Sequence, residues 1–169
     1  MPRSIDLKNT RLRIKDGTSN SLIVEFGEGN LTYSERKERE YILNRGALDD
    51  VRDGDEQPME LSFEGVWQYT TSGGSSTGVP TIENALKKTG AAAAWTSSDT
   101  DACRPYAVDL ELSNLPPCTS GDQEILTFPD FRYEQLDHDL QAGTISVQGK
   151  CNATMASASR ITQSSGSVV

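Results

Sequence analysis

The chain has 169 residues, a formal net charge of −9 and a mean hydropathy of −0.53. A chain of this length forms one domain of roughly 150 residues and buries a core without disulfide support. Its charge is uneven: residues 1–45 hold 9 basic and 7 acidic side chains, and residues 46–169 hold 7 basic and 18 acidic ones. Because an acidic surface repels phosphate, tight nucleic-acid binding by counterion release is disfavoured, whereas a surface past which nucleic acid slides is not.

The sequence gives no indication of export or membrane insertion. Its first residues, MPRSIDLKNTRLRIKDG, lack the apolar segment of a signal peptide, and no stretch approaches the roughly 18 apolar residues of a membrane span. The three cysteines are therefore expected as free thiols of a protein made in the cytosol. Cys103 and Cys118 flank a predicted strand and cannot bond unless it folds back, while a disulfide from Cys151 to either of them stays open.

The first third of the chain predicts β-structure followed by one long loop. Residues 11–26 have the pattern of a hairpin that turns at or near Asp16 and Gly17. Residues 31–43 predict two short strands or one long one. Residues 44–58 are acidic and broken by glycines, so we expect a long inter-strand loop, a kind of segment that is usually functional or disordered.

The strongest period-two pattern lies at residues 59–70. One face is predicted to hold Met59, Leu61, Phe63, Gly65, Trp67 and Tyr69. The other face is predicted to hold Glu60, Ser62, Glu64 and Gln68. Such alternation is typical of a strand with one buried face and one that meets water. Residues 106–113 and 144–153 repeat it.

One helix is predicted at about residues 81–90. Thr81 is a suitable N-cap, Gly90 is a suitable stop, and Lys87 and Lys88 favour the carboxyl end of the helix dipole. Two turns of helix do not form a core alone, so this helix is expected to pack against a sheet.

The remaining residues complete the expected architecture. Residues 156–169 show no periodicity and predict a flexible C-terminal tail. We therefore expect a single domain over residues 1–155. Its predicted fold class is mainly β, with two packed antiparallel sheets in a sandwich or open barrel, flanked by one short α-helix.

The only histidine, His138, lies between Asp137 and Asp139. In an extended strand these two carboxylates point to the face opposite the imidazole. No Cys-x-x-Cys spacing supplies further metal ligands, and the serines within residues 72–76 have no orienting base nearby in the sequence. The sequence therefore predicts no enzyme, no metal site and no cofactor, and a surface or partly buried histidine without a catalytic role.

The acidic residues of the predicted loop 44–58 raise the question of a cation site. A calcium loop needs acids at alternating positions, and Val51 and Arg52 interrupt that order. A solvated or partner-facing loop is the preferred interpretation.

Four segments, taken in order, carry a resemblance to a known family. They are GEGNLTYSERKEREYILNRGALDDVRDGDEQPMELSFEGVWQY, then TIENALKK after a Gly/Ser-rich stretch, CRPYAVDLELSNLPPC, and FPDFRYEQLDHDLQAGTISVQGKCNAT. Their order over about residues 5–155 resembles that of the major tail tube proteins of long, flexible-tailed bacteriophages. The resemblance rests on the order of the segments and not on a catalytic signature.

The resemblance implies hexameric rings that stack into a hollow tube, through which DNA passes without specific binding. It implies a place in the virion tail, assembled in the host bacterial cytoplasm. The implied partners are other copies of the chain, a tape measure protein and tail terminator or tip proteins, with no membrane. In this family a long loop reaches the neighbouring ring, so the candidate inter-ring residues are Arg45, Asp49, Asp50, Arg52, Asp53, Asp55 and Glu56. The candidate lumen-facing residues are Glu60, Ser62, Glu64 and Gln68.

Other interpretations stay open. A tube protein of a bacterial secretion or contractile injection system shares the implied fold, and a tail-completion protein is a neighbouring candidate. From a different class, a secreted β-sandwich that binds sugar or calcium fits the composition. Rings or tubes in electron microscopy would favour the assembly proteins, and a monomer insensitive to concentration would favour the binding module.

Overall fold

The computed structural model describes residues 10–24, 26–27, 29–67, 79–114 and 122–162. Within these ranges the chain forms ten strands, one α-helix and one 3-10 helix. The strands are β1 (Thr10–Lys15), β2 (Ser21–Val24), β3 (Leu31–Ser34), β4 (Lys37–Asn44), β5 (Ala47–Glu56), β6 (Met59–Val66), β7 (Val108–Asn114), β8 (Asp122–Asp139), β9 (Thr144–Cys151) and β10 (Ser157–Thr162). Helix α1 (Ile82–Lys87) and the 3-10 helix (Gly90–Ala92) lie between β6 and β7.

Eight strands form one antiparallel sheet in the order β2-β1-β7-β8-β9-β6-β3, with β10 paired to β8 beside this path. Strands β4 and β5 pair with each other and form a separate two-stranded sheet. The predicted fold class, mainly β with antiparallel sheets and one short helix, is confirmed. The hairpin predicted at residues 11–26 is present as β1 and β2, and residues 31–43 form two strands.

Strand β8 joins the two halves of the large sheet. Its first part pairs with β7 and β10, and its last part pairs with β9. Asp130, at the junction, has a φ of 52°. The ring centroids of Tyr33 on β3 and Phe128 on β8 lie 4.9 Å apart, although three strand spacings of about 4.8 Å would separate these strands in a flat sheet. The sheet therefore curls into an open barrel.

The barrel core is built by the predicted alternation. On β6, Met59, Leu61 and Phe63 are almost fully buried, whereas their polar neighbours on the strand are not. Phe63 contacts Phe131 of β8, with ring centroids 6.4 Å apart. Because burial of a large apolar side chain contributes about 1.5–3 kcal/mol, this cluster is the main source of stability of the fold.

Helix α1 covers the barrel beside β2. The Thr81 hydroxyl accepts a hydrogen bond from the Asn84 amide at 3.3 Å, as expected of an N-cap. Its apolar face, Ile82, Ala85 and Leu86, is buried. The predicted helix is confirmed, with bounds shorter than residues 81–90 because Lys88 adopts a left-handed conformation that ends it.

Two expectations about irregular segments need correction. Residues 44–58 are not a loop: most of them belong to β5, which pairs along its whole length with β4. The acidic sequence hid this strand because acids are rare in strands and a bulge breaks the period-two pattern. The tail predicted at residues 156–169 begins with a strand, since Ser157–Thr162 form β10, paired to the first part of β8, and residues 163–169 lie outside the described residues. Backbone pairing to a sheet edge needs no apolar periodicity, so no local pattern in the sequence indicates this strand.

No helix in the described part of the chain is long and apolar enough to cross a membrane. Cys103 is exposed and Cys151 is buried, and both are free thiols. The expectations for Cys118 fall outside the described residues.

Candidate functional site

A two-stranded arm extends from the barrel. Two residues separate β3 from β4, and two separate β5 from β6, so the β4–β5 hairpin continues the β3–β6 pair. Every residue of β5 is exposed, and β4 is exposed except for Ile42. Eight residues of β4 span about 27 Å. We call residues 37–56 the arm.

The arm tip is a two-residue turn formed by Arg45 and Gly46. Both have positive φ values, 50° and 83°, and they connect the paired residues Asn44 and Ala47. Positive φ at both central positions is the mark of a type I′ turn, which matches the twist of the flanking strands. Gly46 adopts this conformation freely, whereas Arg45 adopts it at some steric cost. The candidate residue Arg45 is thus placed at the outermost point of the arm.

One face of the arm is apolar and exposed. Tyr41 pairs with Val51 and Leu43 pairs with Leu48, so all four side chains share a face. They are 63%, 49%, 60% and 75% exposed, respectively. We call these four residues the arm apolar face. Exposed apolar clusters on projecting elements are typical of interaction surfaces, so these residues form a candidate contact surface.

Asp49 is the extra residue of a bulge in this hairpin. The pairing shifts between Ile42, which pairs with Asp50, and Leu43, which pairs with Leu48. Leu48 and Val51 are three positions apart and would lie on opposite faces of a regular strand, whereas the bulge brings them to the same face. The bulge therefore assembles the arm apolar face, and the exposed residue Asp49 follows Leu48 directly in the strand.

Two of the seven candidate inter-ring residues form ion pairs inside the arm. Asp53 pairs with Arg39 at 2.6 Å and with Lys37 at 3.3 Å, and Arg52 pairs with Glu40 at 3.8 Å. Exposed pairs of this kind contribute about 0–1 kcal/mol each. The remaining candidates, Arg45, Asp49, Asp50, Asp55 and Glu56, form no ion pair with any described residue.

The second candidate surface is the polar face of β6 and its neighbours. Glu60, Ser62 and Glu64 point away from the core, as predicted, while Gln68 lies outside the described residues. Glu60 pairs with Arg36 at 3.4 Å, and the Ser62 hydroxyl is 2.9 Å from that of Thr32.

This polar face extends over four strands. Lys150, Gln148 and Ser146 of β9 lie opposite Glu60, Ser62 and Glu64, respectively. Beyond β9, Asp137 and Asp139 of β8 continue the same face. Lys150 pairs with Glu134 at 3.9 Å. The face is thus polar throughout and most acidic at the end that holds Glu64 and the two aspartates.

His138 has a structural contact that the sequence did not reveal. It pairs with the buried Ile145 on β9, whereas Asp137 and Asp139 lie on the opposite face, as predicted. Its Nε2 atom is 2.8 Å from Glu83 Oε1 on α1, and its ring centroid is 4.8 Å from that of Trp67. The histidine therefore helps to hold α1 against the barrel, which no local pattern in its own strand could predict.

Two buried aspartates fix the connection between α1 and β7. Asp16 accepts hydrogen bonds from Thr18, Asn20 and the Thr96 amide. Burial alone would raise the pKa of Asp16, but these hydrogen bonds together lower it. Asp99 accepts a hydrogen bond from Asp101 N and a 2.8 Å bond from Arg132, and both lower its pKa.

Two neighbouring acidic residues, Asp109 of β7 and Asp130 of β8, lie at the bend of β8. The amide of Asp130 donates to Asp109 Oδ1 at 3.0 Å, in place of a regular ladder bond. Burial raises the pKa of Asp109, and nearby Asp130 adds to the effect. Burial also raises the pKa of the Cys151 thiol to about 12, so this cysteine is an unreactive core residue.

Comparison with known proteins adds no family to these observations. The chain matches no protein-family model, and no curated protein is similar to it in sequence. Among the described residues, no group of three or more His, Cys, Asp and Glu side chains has the geometry to hold a metal ion.

Proposed function

We propose that this chain is the structural subunit of a hollow tube, the major tail tube protein of a long, flexible-tailed bacteriophage. Six copies form a ring, rings stack along the tail, and DNA passes through the lumen without specific binding. The partners are other copies of the chain and, at the ends and inside of the tube, terminator, tip and tape measure proteins. The order of the sequence segments and two features of the folded chain, the arm and the polar face, support this function.

The observation that carries the proposal is the arm. It is about 27 Å long, and its two faces are exposed along almost its whole length. The four side chains of the arm apolar face are about half exposed or more. Their burial in a contact would contribute on the order of 5 kcal/mol to association, before its entropic cost. In a monomer the arm buries almost no surface, whereas in a stack of rings it would form a contact between successive rings.

The polar face of β6, β8 and β9 supports the second part of the proposal. A wall along which DNA slides has to avoid contact ion pairs with phosphate, and the acidic end of this face, with Glu64, Asp137 and Asp139, repels phosphate. In this assignment the polar face lines the lumen and the barrel core lies behind it.

A single substitution on the arm tests the proposal. Leu48→Asp places a charge in the arm apolar face without touching the barrel core, because Leu48 is 75% exposed. We expect a folded protein by circular dichroism that no longer forms rings or tubes in electron microscopy. Leu140→Asp is the matched control, since Leu140 is 82% exposed at a turn away from the arm, and it should assemble normally.

Two results would contradict the proposal. One is a wild-type chain that stays monomeric at every protein concentration reached. The other is a Leu48→Asp variant that assembles as well as the control.

A further inference from the structure

The outer face of β1 carries two arginines whose side chains have no ion-pair partner among the described residues. Leu12 and Ile14 point into the core, so Arg11, Arg13 and Lys15 lie on the opposite face. We call these three residues the β1 basic face. Lys15 Nζ pairs with Glu111 Oε2 at 2.5 Å. The guanidinium of neither Arg11 nor Arg13 forms a hydrogen bond or an ion pair with any described residue.

Arg13 is the central cation of this face. It lies opposite Glu111 of β7, but that carboxylate is bound to Lys15. On its other side it lies opposite Ile23 of β2, which is 46% exposed. A partly buried arginine beside an exposed apolar side chain is a combination typical of protein interfaces, where arginine is enriched. It stands out on a chain whose net charge is −9.

The arm has the complementary composition. It holds 7 acidic and 4 basic side chains, and several of its acids, Asp49 among them, have no ion pair within the described chain. Asp49 lies in the bulge next to Leu48 of the arm apolar face. An acidic and apolar surface of one copy therefore matches a basic and apolar surface of another.

We propose that the β1 basic face of one copy is the docking surface for the arm of a second copy, with Arg13 bound to Asp49 and Ile23 packed against Leu48. This inference rests on the proposed function, because it assigns the surface that the arm contacts. The same arginines would otherwise be available to the phosphates of DNA, which is a separate outcome of the test.

A charge swap tests the docking. Arg13→Glu and Asp49→Arg each place like charges in the contact, and the double variant restores opposite charges in reverse. We expect each single variant to raise the concentration for half-maximal assembly at least about tenfold, as the loss of a close charge pair predicts. The double variant should return to within about threefold of wild type. Assembly is measured by sedimentation velocity, and folding of each variant by circular dichroism.

The controls separate this inference from the proposed function. Lys87→Glu makes the same charge change as Arg13→Glu on an exposed lysine of α1 and should assemble normally. If Leu48→Asp blocks assembly but the double variant does not recover, the arm docks elsewhere and only this inference fails. A wild-type chain that never assembles overturns both. Binding of DNA by wild type that Arg13→Glu abolishes, with assembly unchanged, would assign the β1 basic face to nucleic acid instead.

Discussion

The barrel and the arm are both antiparallel β-structure, but they are stabilised in different ways. In the barrel, strands such as β6 and β9 alternate buried and exposed residues around one core. In the arm, both faces of β5 are exposed. A two-stranded hairpin without a core is marginal in water, so the arm depends on its turn, its cross-strand pairs and its continuity with β3 and β6. The barrel stabilises the monomer, and the exposed arm is the part that we propose contacts another copy of the chain.

Truncation of one side chain in the barrel and one in the arm should give the largest difference in the free energy of unfolding. Phe63→Ala removes a side chain that is 2% exposed and should lower the free energy of unfolding by about 4 kcal/mol. Leu48→Ala, at 75% exposure, should change it by less than about 0.5 kcal/mol. Urea unfolding of the monomer measures both. An equal loss in the two variants would mean that Leu48 already packs within the monomer, and the contrast between arm and barrel would be wrong.

The same contrast explains what the sequence could and could not predict. Barrel strands bury one face, so Met59, Leu61 and Phe63 appear in the sequence at every second position, and the fold class follows from them. The arm buries neither face, and its apolar residues Leu48 and Val51 are out of phase because of a bulge that only the paired strand defines. A segment of that kind looks like a loop.

Some features of the candidate site could likewise be predicted from the sequence, and others could not. The polar face of β6 could be predicted because it is the complement of the core face. The internal ion pairs of Arg52 and Asp53 could not, because their partners Glu40 and Arg39 come together only through the hairpin register. The contact between His138 and Glu83, 55 residues apart, likewise depends on where α1 packs. Local patterns report which face is buried, and tertiary contacts decide which charges meet.

Replacement of a buried aspartate of the barrel and of an exposed aspartate of the arm should change the free energy of unfolding by intermediate amounts. Asp16 is 4% exposed, and its carboxylate accepts several hydrogen bonds. Asp16→Asn replaces this carboxylate with an amide and should lower the free energy of unfolding by about 2 kcal/mol at neutral pH. Asp53→Asn breaks two exposed ion pairs of the arm and should change it by at most about 0.5 kcal/mol.

The pH dependence of the Asp16 effect has a defined sign. Folding lowers the pKa of Asp16, so the carboxylate contributes stability above its ordinary pKa of about 4 and loses it as the pH falls through and below that value. The difference between wild type and Asp16→Asn in urea unfolding should therefore be largest near neutral pH and shrink toward pH 3. A difference that is constant over this range would show that the effect comes from packing and not from the ionised carboxylate.

The smallest expected effect concerns the arm turn alone. Arg45 has a φ of 50°, which costs a non-glycine residue some steric strain, and asparagine tolerates this conformation better. Arg45→Asn creates the Asn-Gly pair that type I′ turns prefer, and should stabilise the hairpin by a few tenths of a kcal/mol, up to about 1 kcal/mol. We expect the arm to open without the barrel. The gain should then appear as hydrogen exchange of β4 and β5 amides slowed by up to about fivefold, with exchange in β6 and β9 and the global free energy of unfolding unchanged. Arg39→Asn, in the middle of β4 at a position without positive φ, is the control and should not slow exchange. If Arg45→Asn raised global stability and slowed exchange in β6 as well, arm and barrel would unfold as one unit, and the arm would be part of the stabilising structure of the monomer.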